Sequence, residues 1–105
     1  TAFITAWSND DSFDNIFSRQ LEALSKPGDI LVGLSTSGNS LNILNSAIFA
    51  QSNQLKVISL TGNDGGKLKR NSHININIPS DSTQRIQEMH ILIGHILCDI
   101  VEQSL

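Results

Sequence analysis

Hydroxyl-bearing side chains crowd into one short stretch, residues 35–40, which read STSGNS and follow the apolar run 30–34. This order predicts a buried parallel strand whose carboxyl end opens into a loop and then into a helix, the position at which open α/β sheets bind ligands. Gly38 would allow close backbone approach, and the helix start would offer free N–H groups. The stretch suits an anion such as phosphate, although an ordinary turn capped by Asn39 or Ser40 is the alternative. The candidate ligand hydroxyls belong to Ser35, Thr36, Ser37 and Ser40.

A second group of polar side chains lies in the apolar segment that closes the chain, where Gln87, His90 and His95 occur among Ile and Leu. Neighbours on a helix surface are three or four residues apart, so the spacing pairs Gln87 with His90, or His95 with Asp99. Gln87 and His95 are about 12 Å apart along a helix axis. They could share a metal ion only if both side chains reached toward a point between them. A hydrogen-bonded interface histidine is the alternative at each position.

The secondary-structure elements that would position these groups alternate between helices and strands. Such alternation predicts an α/β fold with a largely parallel sheet flanked by helices. The half-polar last strand suits a sheet edge, and the turn at 62–66 suits a tight strand-to-helix connection better than a phosphate loop with Lys67. Spacing and turn residues predict strands at 1–7, 30–34, 56–61 and 74–78, and helices from Phe13, from Leu41 and over 83–105.

The final helix has apolar residues on more than one side, which predicts that another subunit covers it. Cys98, on the same helix, has no nearby positive charge that would make it reactive and is interpreted as a small core residue. The chain opens inside an apolar pattern without an initiator Met. Together with the thin sheet, this predicts that residues 1–105 are one domain lacking its N-terminal portion.

Composition narrows the class of protein. The 105 residues carry a formal net charge of −3, which disfavours a nucleic-acid surface. A single cysteine excludes an intrachain disulfide, and no apolar run is long enough to span a membrane. The expected setting is therefore cytoplasmic.

Three stretches resemble, in order and separation, the sugar isomerase (SIS) domain family. They are residues 33–40 (GLSTSGNS), 60–67 (LTGNDGGK) and 85–90 (RIQEMH). Within that family they are most similar to the sedoheptulose 7-phosphate isomerases, as are residues 9–19. The resemblance covers essentially the whole chain and implies a three-layer α/β sandwich of the flavodoxin-like or Rossmann-like kind.

The resemblance also implies an activity, which is interconversion of sedoheptulose 7-phosphate and D-glycero-D-manno-heptose 7-phosphate through an enediol. Gln87 and His95 match positions that touch substrate or zinc, and His95 matches the general acid/base, a role that suits the histidine pKa. The family is tetrameric. By the same resemblance the substrate lies at Asn9 and Asp10, and its phosphate is held by Ser35, Thr36, Ser37 and Ser40.

The family pattern also includes an upstream GNGGS loop and a helix whose His and Glu complete the metal site and supply the main catalytic base. These features are absent from the 105 residues. The chain alone is therefore expected to be inactive, with about 80 to 90 further residues upstream in the physiological protein.

Two other functions remain open. One is a non-catalytic SIS module that binds a phosphosugar or a partner protein, as the related replication-initiator-associating proteins do, and the other is a phosphosugar-sensing regulatory domain. Gln87 and His95 favour the enzyme, because a binding module needs only the serine-rich loop.

Overall fold

The computed structural model describes all 105 residues of the chain. The chain has five α-helices and three strands. After the first segment the predicted elements are present in the predicted order, with a short helix (Gly66–Arg70) between the last two strands, and a single 3-10 turn (Phe13–Asn15) leads into the second helix. The elements in chain order are α1 (Ala2–Asp10), α2 (Ile16–Leu24), β1 (Ile30–Ser35), α3 (Leu41–Ser52), β2 (Lys56–Gly62), α4 (Gly66–Arg70), β3 (Ile74–Ile78) and α5 (Thr83–Ser104).

The prediction of a strand at residues 1–7 is wrong, because these residues form α1, and the sheet has three strands instead of four. Phe3 and Trp7, four residues apart, stack with their ring centroids 6.1 Å apart. The Arg19 guanidinium lies 5.5 Å from the Trp7 ring centroid and ties α1 to α2. Helical i, i+4 packing of the aromatic rings therefore outweighs the β-propensity of this short segment.

The sheet is parallel throughout, in the order β1-β2-β3. Ser35 at the end of β1 is in register with Thr61 of β2, and Thr61 is in register with Asn77 of β3. All three strands therefore point their carboxyl ends at the same edge, where the predicted ligand loop begins.

Helices cover both faces of the sheet, which confirms the predicted α/β sandwich. On one face, α2, α3 and α4 surround a core built by Ala47, Ala50, Leu55, Val57 and Leu68. On the other face, α5 packs through Ile86, whose side chain is 0% exposed and lies against Gly62 at the end of β2. Val32, Leu34 and Ile74 of that second face stay exposed in the chain.

The half-polar strand β3 lies at the edge of the sheet, as its pattern predicts. Its asparagines bond to buried hydroxyls of the central strand. The Asn75 amide donates to Ser59 Oγ at 2.8 Å and to Thr61 Oγ1 at 2.9 Å, and Thr61 Oγ1 lies 2.8 Å from Asn77 Oδ1. This network satisfies polar groups beneath the carboxyl end of β2.

The expectation of a core position for Cys98 is wrong, because its side chain is exposed. Only Ile86 and His90 of α5 are buried in the chain. Apolar residues further along α5, such as Ile96 and Ile100, are exposed, so the apolar pattern does not mean burial within these 105 residues. None of the helices combines the length and the apolar content needed to cross a bilayer.

Candidate functional site

The loop after β1 is closed by its own hydroxyl groups. Ser35, which is 5% exposed, accepts a hydrogen bond from the Gly38 N–H at Oγ (3.1 Å) and donates from Oγ to Ser40 Oγ (3.2 Å). Ser40 occupies the N-cap position of α3, yet its side chain makes no cap bond. The Ile43 N–H donates to Asn42 Oδ1 (2.8 Å), so it is the first two N–H groups of α3, those of Leu41 and Asn42, that keep their capacity to donate to an anion at this end of the helix.

A second loop, after β2, packs directly against the first. The Leu68 N–H donates to the Gly38 carbonyl (2.9 Å), and the Lys67 N–H donates to Asn39 Oδ1 (3.0 Å). Gly38 has φ +70°, and a Cβ atom there would lie 2.0 Å from the Gly65 carbonyl oxygen. Only glycine permits this approach. The turn at 62–66 is therefore the tight connection that the sequence predicts, and it supports the serine-rich loop.

A cleft of about 440 Å³ separates the serine-rich loop from α5. The structure brings three of the four predicted hydroxyl residues together with the predicted Gln87. No charged side chain lines the cleft, so hydroxyl groups and helix N–H groups would have to neutralise a bound anion. The lining residues are Leu34, Ser35, Thr36, Ser40, Gln87, His90 and Ile91.

His90 is a lining residue to which the sequence interpretation assigned no role at the site. It is 3% exposed, and its Nε2 lies 2.9 Å from the Thr61 carbonyl oxygen. This hydrogen bond agrees with the alternative given for each histidine of the helix, a hydrogen-bonded residue at a packing interface. Its place at the cleft was detectable in principle, because His90 lies one turn after Ile86 and three residues after Gln87, on one side of α5.

The remaining predicted site residues lie outside the cleft lining. Ser37 is exposed and its Oγ accepts from the Asn39 N–H at 3.1 Å. Asn9 and Asp10 lie exposed at the end of α1 and bond to each other at 3.1 Å. His95 is exposed on α5, about 7.5 Å along the axis from His90. The roles assigned to these four residues stay predictions.

The two predicted metal ligands do not complete a zinc site by themselves. Gln87 and His95 supply one amide and one imidazole, whereas a catalytic zinc takes three protein ligands and a structural one takes four. No group of three or more His, Cys, Asp or Glu residues in the chain could hold a metal ion. Any zinc bound here would need ligands from beyond the described residues.

Comparison with known proteins matches the part of the chain that contains this site. A sequence profile of the SIS domain matches residues 14–94, which contain the serine-rich loop, the supporting loop and Gln87. The chain belongs to the SIS domain family. This SIS chain is 50% identical to the phosphoheptose isomerase of Sulfurimonas denitrificans over 105 residues, which are 100% of the chain and 54% of that relative.

Other similar proteins are also phosphoheptose isomerases. The phosphoheptose isomerase of Aliarcobacter butzleri is 49% identical over 100% of the SIS chain and 56% of its own length. The structure of phosphoheptose isomerase GmhA from Neisseria gonorrhoeae superposes with a TM-score of 0.93 at 44% identity, covering 98% of this chain and 58% of that one. The SIS chain thus spans about half the length of the curated relatives it matches.

Proposed function

We propose that the full-length protein is an aldose–ketose isomerase that interconverts sedoheptulose 7-phosphate and D-glycero-D-manno-heptose 7-phosphate in heptose biosynthesis. The observation that carries this proposal is the cleft in which Ser35, Thr36 and Ser40 face Gln87 across the carboxyl end of the sheet. The names of relatives about 50% identical to the chain support the same reaction.

In this proposal the serine-rich loop binds the phosphate group. Ser35, Thr36, Ser37 and Ser40 donate hydroxyl or backbone hydrogen bonds, and the uncapped N-terminus of α3 adds its N–H groups. The loop is held in shape by Gly38 and the turn that packs on it before any ligand arrives. A preformed loop loses little conformational freedom on binding, which favours affinity.

The sugar part of the substrate extends from the phosphate along α5. Gln87 lies at the cleft, and His95 lies two turns further along the helix, about 12 Å from Gln87 along the axis. A histidine can take a proton from one carbon-bound position and return it to the next near neutral pH. His95 is therefore proposed as the general acid/base, and Asn9 and Asp10 as contacts to the sugar.

Zinc is part of the proposal only as a cofactor whose remaining ligands lie beyond the described residues. When bound it would polarise the sugar carbonyl as a Lewis acid. Gln87 and His95 would each give one ligand atom, and their separation along α5 requires both side chains to turn toward each other.

We also propose that the protein is a cytoplasmic homo-oligomer, specifically a tetramer, that binds neither nucleic acid nor membrane. The support is the row of exposed apolar side chains on α5 from Ile91 onward: Ile91, Leu92, Ile96, Ile100 and Val101. Water-exposed apolar rows of this extent commonly mark protein contacts. The net charge of −3 is opposite to that of a typical nucleic-acid surface.

The decisive assay for the activity uses full-length protein and sedoheptulose 7-phosphate, before and after removal of metal by a chelator. We expect formation of the aldoheptose phosphate, its loss after chelation and its recovery with zinc. If turnover is unchanged after chelation, zinc is not required for the reaction and the proposed role of zinc is wrong. Tight sugar-phosphate binding without any turnover would refute the proposed enzymatic activity and favour a non-catalytic SIS module.

A further inference from the structure

His90 is a polar residue in a position that packing alone would give to an apolar one. It shares the buried side of α5 with Ile86, and these two are the only buried residues of the helix. Its Nε2 atom lies 2.9 Å from the Thr61 carbonyl oxygen. A carbonyl oxygen can only accept, so Nε2 must carry the proton and donate it.

The second ring nitrogen has no partner within the chain. Nδ1 of His90 makes no hydrogen bond, and it is not among the side-chain atoms sealed from solvent. The residue itself lines the cleft beside Ser35, Thr36 and Ser40. In a neutral ring with its proton on Nε2, Nδ1 is a hydrogen-bond acceptor. His90 therefore has one unpaired acceptor atom, and it is part of a residue that lines the cleft beside hydroxyl donors.

We propose that His90 is a substrate-binding residue whose Nδ1 accepts a hydrogen bond from a hydroxyl group on the sugar part of the ligand. This inference rests on the proposed function, because it requires a phosphosugar in the cleft. The phosphate of a sugar phosphate is a monoester, and its dianion has only acceptor oxygens and no proton to offer Nδ1, whereas every sugar hydroxyl has one. His90 thus recognises the sugar, and the serine-rich loop recognises the phosphate.

Thr61 fixes the ring in the orientation that this contact requires. Its backbone is held between two strands, and its side chain is 0% exposed and bonded to Asn75 and Asn77. Because the accepting carbonyl oxygen is anchored on the central strand, the ring has little freedom to turn Nε2 toward the cleft. The tautomer and the orientation are set before the ligand binds.

Two substitutions separate ligand binding from a merely structural role. His90→Gln keeps an amide donor near the position of Nε2 and removes the Nδ1 acceptor, whereas His90→Leu removes both. Glu88→Gln, on the exposed side of the same helix, is the matched control. Full-length variants are titrated with sedoheptulose 7-phosphate and, separately, with inorganic phosphate in a calorimeter.

We expect His90→Gln to bind sedoheptulose 7-phosphate roughly two- to tenfold more weakly, the range for one neutral hydrogen bond, and to bind inorganic phosphate like the wild type. Wild-type affinity of His90→Gln for both probes would overturn the inference, since Nδ1 would then meet only water. Failure of the wild type itself to bind either probe would instead refute the proposed function.

A measurement on the wild type covers the case in which the variants do not fold. In protein labelled with ¹⁵N at histidine, the His90 ring should show a protonated Nε2 and an unprotonated Nδ1. Sedoheptulose 7-phosphate should shift the Nδ1 resonance, and inorganic phosphate should leave it in place. A protonated Nδ1, or equal shifts with both probes, would contradict the assignment.

Discussion

Gly38→Ala should lower the free energy of unfolding by about 2–5 kcal/mol and abolish phosphate binding. The backbone at Gly38 has φ +70°, which costs a residue with a side chain about 1–2 kcal/mol. The new Cβ would also lie 2.0 Å from the Gly65 carbonyl oxygen, and such overpacking adds about 1–3 kcal/mol. The Gly65 carbonyl cannot move away easily, because it accepts from the Lys69 N–H, and Gly38 is itself tied to the same turn by the Leu68 N–H, which donates to its carbonyl.

Gly28→Ala is the matched control. Gly28 has a similar backbone angle, φ +93°, but a Cβ there would meet nothing within 4 Å. Urea denaturation of the full-length variants should show only the strain of about 1–2 kcal/mol for Gly28→Ala, with phosphate binding retained. Equal losses of stability in the two variants would mean that the loop contact at Gly38 contributes nothing specific.

His95→Ala should reduce turnover of sedoheptulose 7-phosphate by about 10²- to 10⁴-fold, the usual contribution of a general acid/base. Its affinity for inorganic phosphate should not change, because His95 lies outside the cleft that contains the hydroxyl groups. This combination distinguishes loss of the chemical step from collapse of the site.

The control for His95→Ala is Glu102→Gln, an exposed position further along the same helix. It should keep full turnover. If His95→Ala also kept full turnover, the proposed acid/base role of His95 would be wrong, while the phosphate-binding role of the serine-rich loop would be unaffected.

The two halves of the proposed site differ in how far the chain itself determines them. The phosphate half is built from consecutive residues whose hydrogen bonds are internal, such as Ser35 to Gly38 and Ser40. The chemical half depends on α5, where Gln87 and His95 are exposed and make no hydrogen bond within the chain. This division predicts that phosphate binding survives changes that abolish turnover.

The fold and the serine-rich loop were predictable because both follow from local pattern. The apolar run before Ser35 and the helical spacing after Ser40 determine a strand, a loop and a helix, and parallel strands must then share one carboxyl edge. The motifs that resemble the SIS family pointed to the same loop, and the match over residues 14–94 confirms the family.

The errors arose where particular side-chain contacts, and not residue propensity or apolar pattern, decide the structure. Residues 1–7 contain Phe, Ile, Thr and Trp, which favour strands, but Phe3 stacks on Trp7 and Arg19 covers the ring, so a helix forms. Cys98 follows an apolar pattern that continues past the end of the sheet, so the pattern could not tell core from exposed surface. The acceptor at His90 depends on its bond to Thr61, 29 residues away, which spacing alone does not reveal.

The most direct test of the central claim is a crystal structure of the full-length protein with sedoheptulose 7-phosphate bound. We expect phosphate density at residues 35–40, within hydrogen-bond distance of Ser35, Thr36 or Ser40 and of the first N–H groups of α3. The sugar should extend toward Gln87 and His95, with one hydroxyl group at His90 Nδ1. Phosphate bound elsewhere, for example at the Lys67 turn, would contradict the account.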